Sequence, residues 1–381
     1  MRAYVWTDKA LTRHAGRFVW LSLDMEKAKN AAARKHIGIQ AFPTFYVLDP
    51  TDEHVAIRWV GGGSVAQFER LFDDGELAVR GGAHGPAMDA LVAGDRAYGA
   101  SDFAAAAKAY ESAVDKAPEG WPAFGRTVEA LMFAYSSLDS LVPAVQLAMR
   151  ALPHLEGTNS EASIAAAGLD AAVQMPESHP NRAFWLEHFE KVSRSALADP
   201  KLSLTGDDRS GVYFTLEDAR EAAHDSIGQR QTMEEHVAML EHEAAAAKSA
   251  EQRAVYDSHR LSLYTALGRP QAAIPMLEQS QKDFPTDYNP PARLATAYKA
   301  MGRWSDALAA SDRALALVYG PRQFLVLTTR VDIQLGLGDK AGAKHTLADA
   351  IAKAEAMPEG QRSEGTIRSL KKKLEGLGDV N

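Results

Sequence analysis

A repeated spacing of aromatic, glycine and alanine residues is the feature that most restricts what this chain can fold into. Two sets of marked positions lie 34 residues apart, and they are Tyr264, Gly268 and Ala273, then Tyr298, Gly302 and Ala307. A further step of 36 residues gives Gly338 and Ala343, with the extra residues assigned to a loop around Gly320. A period of this length is typical of stacked helical hairpins, because each hairpin leaves an apolar face that only a neighbour can bury.

Further copies of the pattern occur nearer the N-terminus. Their marked residues are Gly94, Phe103, Ala106, Tyr110, Ala113 and Pro118, followed by Tyr135, Ala144, Ala148 and Ala151. All these residues resemble the tetratricopeptide repeat (TPR), which places small residues where its two helices cross and aromatic residues where the next repeat docks. The resemblance is fullest over 255–356 and extends to 87–118 and 119–153.

The first eighty residues carry a different pattern, in which strand and helix signals alternate. Three short runs rich in aromatic and branched residues predict buried strands. These runs are Phe18–Leu23, Phe45–Leu48 and Val55–Val60. Lys27–His36 is predicted as a helix with Gly38 as its cap. Ser64 is predicted to cap a second helix that runs through Phe68 and Leu71.

The segment GIQAFPTFYVLD, residues 38–49, resembles the thioredoxin family, in which a Pro-Thr pair opens a buried strand. The flanking strands and the helix after Ser64 also match that family. The resemblance implies a cis proline at Pro43, which with Phe42 and Thr44 would pair with an extended peptide substrate. Together with the repeats, it predicts an α/β partial thioredoxin-like domain followed by an all-α TPR-like helical-repeat solenoid.

The chain contains no cysteine, although the best-known chemistry of the thioredoxin family belongs to a Cys-x-x-Cys pair. In the family alignment, Met1–Leu11 would continue the helix that begins at this pair. The cysteine motif and the central strand before it would then lie upstream of Met1. Without that strand, the two strands beside it would lose their hydrogen-bonded ladders.

Two functions are compatible with this pattern. In the first, the chain is a redox-inactive thioredoxin-like/TPR protein that acts as a protein–protein interaction scaffold. In the second, it is a fragment of a thiol–disulfide oxidoreductase whose repeats recruit the substrate. As written, the chain is predicted to have no catalytic residue, no cofactor and no metal site. It is expected in the cytoplasm, or in an exported or periplasmic location if an export signal lies upstream.

The composition of the chain changes near the stretch GGAHGP, residues 81–86. The predicted domains are a thioredoxin-like domain at 1–82, TPR-like repeats at 87–156, an irregular helical region at 157–250 and TPR repeats at 251–375. Within the irregular region, residues 204–211 are predicted to form a polar loop. Thr215 and Asp218 are predicted to begin the helix that follows this loop.

A protein or peptide is the predicted partner of the repeats. Asn289, Arg293 and Lys299 are the residues predicted to line a concave groove for it. The formal net charge of −8 does not favour nucleic acid, which binds basic surfaces. No apolar run approaches the roughly 20 residues that a membrane-spanning helix needs. The sequence leaves the oligomeric state open.

Three further motifs have simpler explanations than a catalytic or metal site. GGGSVA, residues 61–66, fits a dinucleotide-binding spacing, but the parallel strand and acidic residue that should follow are missing, so a turn is predicted. His236 and His242 stand among glutamates on different faces of one helix, so a solvated charged face is predicted there. No serine-hydrolase elbow of the form G-x-S-x-G occurs.

Overall fold

The computed structural model of this protein describes residues 5–37, 39, 42–81 and 85–378. The predicted cap Gly38 lies outside these residues. The chain divides into two compact units, which are Met1–Val19 with Ile37–Met239 (unit 1) and Trp20–His36 with Leu240–Asn381 (unit 2). The four domain ranges predicted from the sequence stay a prediction.

Helices make up most of the described chain. In chain order they begin with α1 (Ala31–His36), α2 (Val65–Arg80), α3 (Pro86–Gly99), α4 (Phe103–Asp115), α5 (Phe124–Ser137), α6 (Leu141–Leu155), α7 (Asn159–Gln174), α8 (Arg182–Ala198) and α9 (Gly206–Ala222). They continue with α10 (Ser226–Ala246), α11 (Ala250–Ala254), α12 (Asp257–Ala266), α13 (Ile274–Asp283), α14 (Asn289–Ala300), α15 (Trp304–Leu317), α16 (Gln323–Gly336), α17 (Lys340–Glu355) and α18 (Glu364–Gly376). Short 3-10 helices are Lys9–His14, Ala28–Asn30, Pro270–Ala273 and Gly320–Arg322.

A β-hairpin stands near the N-terminus of unit 1. Its strands, β1 (Thr44–Leu48) and β2 (Val55–Val60), are antiparallel, with Thr44 opposite Val60. The two strands predicted for this region are therefore confirmed. β2 is buried along nearly its whole length, whereas β1 is half-buried. The predicted helix over Lys27–His36 is formed by a 3-10 turn and α1.

Helix α2 follows the hairpin and packs on it through aromatic rings. The predicted cap at Ser64 is confirmed, because the side chains of Ser64 and Gln67 each accept a hydrogen bond from the other's backbone amide. The ring of Phe68 is fully buried, with centroids 4.8 Å from Trp6 and 5.0 Å from Phe45. This aromatic cluster fixes the helix against the sheet.

The predicted buried strand at Phe18–Leu23 is wrong. Residues 19–24 adopt neither helix nor strand, and Val19 and Leu21 are 88% and 73% exposed. A strand needs a neighbour that bonds its backbone, and the sheet formed by the described residues holds only β1 and β2. The predicted helix over Met1–Leu11 is not formed in its described part, where residues 5–7 make a turn before the 3-10 helix. The thioredoxin-like fold class therefore stays a prediction.

Helices α3 to α9 of unit 1 pack as consecutive neighbours, with α5, α7 and α9 also side by side. The region 157–250, predicted as an irregular helical region, forms the helices α7 to α10. The predicted loop at 204–211 is shorter than expected, because α9 already begins at Gly206. Thr205 caps this helix in a reciprocal pair with Asp208, which makes the predicted start at Thr215 wrong.

TPR-like helical repeats form the C-terminal part of unit 2. The marked alanines Ala273, Ala307 and Ala343 are fully buried where helices cross, as the repeat pattern predicts. The marked glycines at the ends of three helices all have left-handed backbone angles, with φ of 76°, 68° and 78°. These glycines end the first helix of each repeat and let the chain turn into the second. They are Gly268, Gly302 and Gly338.

No helix within the described ranges combines the length and apolar composition needed to cross a membrane.

Candidate functional site

A cavity of about 380 Å³ lies in unit 1, on the side where α5, α7 and α9 are neighbours. The end of β2 and the glycine turn that follows it, residues 61–63, form one wall. The helices supply the other walls from residues spaced one or two turns apart, such as Glu129, Phe133 and Ser136 on α5. One face of α5 and one face of α7 therefore point into the cavity.

A second cavity of about 320 Å³ lies between α7 and α9 and adjoins the first. The two cavities share Ser163, Ala167, Asp170 and Asp208 in their walls. Small residues at 163 and 167 leave open space along α7. Together the cavities form one groove, which we call the acidic groove.

Four carboxyl groups line the acidic groove. They belong to Glu129, Asp139, Asp170 and Asp208. None of the lining residues within the described ranges is lysine, arginine or histidine. These described lining residues therefore give the groove a negative charge.

Glu129 is the carboxyl group most affected by its surroundings. Burial raises its pKa from 4.5 to about 7, and the nearby carboxylate of Asp208 acts in the same direction. Hydrogen bonds from Ser160 and Ser163 and the charge of Arg126 oppose this shift. Near neutral pH, Glu129 is therefore divided between its protonated and ionised forms.

One carboxylate oxygen of Asp208 accepts hydrogen bonds from the residue that caps its helix, and the other faces the groove wall. Asp208 Oδ2 accepts hydrogen bonds from the amide and hydroxyl of Thr205, at 2.9 and 2.8 Å. A Cβ atom placed on Gly62 would lie 3.6 Å from Asp208 Oδ1, which shows that this oxygen faces the glycine turn.

Aromatic rings supply the apolar part of the wall. The indole of Trp59 is held by a hydrogen bond from Nε1 to the carbonyl of Gly62, at 2.8 Å. Phe133 is 39% exposed, which is unusual for a phenylalanine on a packed helix. Carboxyl groups and a partly exposed aromatic ring, over which the guanidinium of Arg58 lies 6.0 Å from the centroid, are suited to a ligand with a charged end and an apolar stem.

The N-terminal site residues predicted from the sequence lie beside this groove. The Phe42–Pro43 peptide bond is cis, as the resemblance implies, and both side chains are exposed. Thr44 begins β1, and the carbonyl of Pro43 accepts a hydrogen bond from the amide of Gly61, at 2.9 Å. Gly61 is itself part of the groove wall. The peptide-binding role of Phe42, Pro43 and Thr44 stays a prediction.

The predicted groove residues of unit 2 stand on α14. The amide of the Asn289 side chain donates to Asp287 at 2.8 Å. Burial lowers the pKa of Arg293, one helical turn further on. Lys299 Nζ donates to Asp332 at 3.0 Å, on α16. The structure places Asn289 and Arg293 on one face and directs Lys299 into an ion pair, and their binding role stays a prediction.

The predicted solvated face around His236 is wrong for this residue. His236 is fully buried, with Nε2 2.7 Å from Ser210 Oγ and Nδ1 2.7 Å from Glu217 Oε1. Its ring also stacks on Tyr213, with centroids 5.0 Å apart. A serine, histidine and glutamate in this order resemble a hydrolase triad, but all three are buried and none lines the groove. The arrangement joins α9 to α10.

A cluster of possible metal ligands stands at the hairpin turn. Single atoms of Asp49, Asp52 and His54 lie within 4.8 Å of one another. Two of these residues are partly buried and one is exposed, and exposed acidic groups are common without an ion. We assign no metal to them.

Comparison with known proteins supports the repeat assignment. The tetratricopeptide-repeat family model matches residues 264–328, the segment that contains the 34-residue period. Residues 264–328 are therefore similar to tetratricopeptide repeats. A solved structure, the TPR2AB-domain:pHSP90 complex of yeast Sti1, is similar to this chain at 13% sequence identity. The aligned part covers 77% of this chain and 98% of the chain in that structure, and the TM-score is 0.30. No curated protein sequence matches the chain.

Proposed function

We propose that this protein is an interaction scaffold that holds an extended peptide segment of a partner protein in the acidic groove. The observation that carries this proposal is the continuous groove, in which α5 and α7 each present one face of regularly spaced side chains. Such a groove, formed by adjoining cavities of about 380 and 320 Å³, offers both polar and apolar contacts. The similarity of residues 264–328 to tetratricopeptide repeats supports a role in protein interaction.

The N-terminal segment supports the groove and performs no thiol chemistry in this proposal. Thiol–disulfide exchange requires a thiolate, and the chain has no cysteine. In the N-terminal segment, the end of β2 and the glycine turn at 61–63 form one wall of the groove instead. A relation of this segment to the thioredoxin family is part of the proposal, supported by the order of β1, β2 and α2. The 381-residue chain should leave insulin unreduced in a dithiothreitol-coupled assay, and turnover would contradict this role.

A peptide-display selection on the full chain tests the scaffold function. A library of random 12-residue peptides should yield enriched sequences on the wild-type protein. Ser163→Trp places a large side chain in both cavities from an exposed position, so it should remove this enrichment. Glu187→Trp, at an exposed position on α8, is the matched control and should retain the selected peptides.

Two results would contradict the proposal. One is the absence of any enriched peptide on a protein shown to be folded by circular dichroism. The other is equal binding of the selected peptides to wild type and Ser163→Trp, since those peptides would then bind elsewhere.

A further inference from the structure

We infer that the segment held in the acidic groove binds through a cationic side chain, a lysine or an arginine, placed among the groove's carboxyl groups. This inference rests on the proposed function and names the chemistry of the partner. It follows from three properties of the groove, which are its charge, the state of Glu129 and its exposed aromatic ring.

Among the described residues that line the groove, four carry a carboxyl group and none carries a positive charge. Asp170 and Asp208 border both cavities, and Glu129 and Asp139 border the larger one. Arg126 on α5 does not line the groove; its Nη1 donates to the buried carboxylate of Asp95 at 3.0 Å, while its charge partly opposes the raised pKa of Glu129. Four carboxyl groups lie together in this groove, and none of its described lining residues is lysine, arginine or histidine, so a cationic ligand group is their electrostatic complement.

The surroundings of Glu129 make this carboxyl group responsive to a cation. The groups that face it are Arg126 on its own helix, Ser160 and Ser163 on α7 and Asp208 on α9. Burial is the main cause that raises its pKa to about 7. A ligand cation nearby would favour the ionised form, so binding at pH 7 should be accompanied by release of a fraction of a proton.

The stem of a lysine or arginine has apolar surface to contact. Phe133 exposes its ring on the same helix face as Glu129, one turn further on. Met132 and Ile164 also line the cavity. Long cationic side chains pack their methylene groups on such surfaces while the charged end reaches polar groups.

The selected peptides provide the experiment. The sequences enriched on wild type should contain more lysine and arginine than the unselected library. One enriched peptide is then synthesised in fluorescein-labelled form, with its central cationic residue kept or changed to norleucine or glutamate. Fluorescence anisotropy should show Kd raised about tenfold to a hundredfold by norleucine, and more by glutamate.

Variants of the protein test the contribution of the groove's carboxyl groups to peptide binding. Glu129→Gln and Asp170→Asn, singly and together, should weaken the cationic peptide and leave the norleucine peptide almost unchanged. Glu187→Gln removes an exposed carboxylate from α8 and should leave both peptides unchanged. The single variants keep the experiment valid if the double variant fails to fold.

The outcomes separate this inference from the function on which it rests. No enriched peptide would contradict the scaffold function itself. Enriched peptides without a cationic preference, or an unchanged Kd with norleucine, would overturn the cationic partner and leave the scaffold function standing. Spermidine that displaces the peptide at a concentration equal to the peptide's own Kd would show a small amine as the occupant, which overturns the peptide as the source of the cation.

Discussion

Asp95 connects the hairpin of unit 1 to three helices through one fully buried carboxylate. It accepts hydrogen bonds from the hydroxyl of Tyr110 at 2.8 Å, from Arg126 at 3.0 Å and from the backbone amide of Arg58 at 3.1 Å. Burial, followed by the charge of Asp95, raises the pKa of Tyr110, so the phenol remains a donor. Each partner comes from a different element, and the carboxylate therefore fixes β2, α3, α4 and α5 together.

Removing the charge of Asp95 should destabilise unit 1. Asp95→Asn leaves the guanidinium of Arg126 buried without its ion partner, which costs about 3–5 kcal/mol in free energy of unfolding. Urea titration followed by circular dichroism measures this loss. Asp115→Asn, at an exposed position near the end of α4, is the control and should change stability by less than about 0.5 kcal/mol. Equal midpoints for the two variants would contradict the buried network.

The raised pKa of Glu129 predicts in which direction the free energy of unfolding changes with pH. Between pH 4.5 and about 7 the folded protein keeps a proton on Glu129 that the unfolded chain has lost. The free energy of unfolding contributed by this group therefore falls as pH rises through this window and is constant above it. Glu129→Gln, which has no titrating group, should gain stability relative to wild type from pH 5 to pH 8. A constant difference between the two proteins would show that the pKa of Glu129 is not raised.

Several residues of unit 1 show what sequence alone could and could not predict. Ser64 was predictable as a cap because the Ser-x-x-Gln pattern is local, and its partner Gln67 is three residues away. Glu129 and Asp208 carry no such local signal, because their proximity depends on how α5 and α9 pack on α7. His236 was misassigned for the same reason, since Ser210 and Glu217 reach it from another helix.

At the scale of helices, close crossings decide where small residues must stand. On α7, a Cβ atom added to Gly168 would lie 2.7 Å from the ring of Phe189 and 3.0 Å from the Cβ of Ala148. Helices α6 and α8 therefore both approach α7 at this glycine. Gly211 on α9 is different, because an added Cβ there would meet no atom within 4 Å.

Substituting alanine for these two glycines should change the free energy of unfolding in opposite directions. Gly168→Ala should lower the free energy of unfolding by about 1–3 kcal/mol, because the methyl group overpacks the crossing. Gly211→Ala should raise it by up to about 1 kcal/mol, because alanine restricts the unfolded chain and favours a helix. Chemical denaturation of the two variants beside wild type measures both effects. A stabilising Gly168→Ala would mean that α7 and α8 lie further apart than described.

Whether a repeat could be recognised in the sequence depended on which residues lie at the points where the helices cross. In unit 2 they are made by alanines at a fixed period, such as Ala273 and Ala307, so the pattern was visible. On α7 the crossing is made by Gly168 against Phe189, a pair that the tyrosine-glycine-alanine pattern does not contain. The packing requirement is the same, but different residues satisfy it. The long helices of 157–250 were therefore predicted as helical without being placed in a repeat.

At the scale of the whole chain, unit 2 is built from segments far apart in sequence. Residues 20–36 lie against the loops before α16 and before α18. Tyr319 donates to Asp24 at 2.6 Å, which raises the pKa of Tyr319 to about 12. Gln361 donates to the backbone carbonyl of Met25 at 2.9 Å. Backbone atoms and single polar side chains make these contacts, and no sequence period marks them, so this packing could not be predicted.

Gly360 tests how this early segment is held in unit 2. A Cβ atom on Gly360 would lie 2.0 Å from the backbone carbonyl oxygen of Ala31, so Gly360→Ala should displace α1 from the loop before α18. Hydrogen exchange measured by mass spectrometry should then become faster in residues 28–36. Gly365→Ala is the matched control, because its Cβ would meet only Ser363 Oγ at 3.7 Å, and exchange in 28–36 should be unchanged. If both variants exchange at the wild-type rate, the segment does not depend on this close approach. Faster exchange in Gly360→Ala alone would show that residues from the start of the chain complete the last repeats.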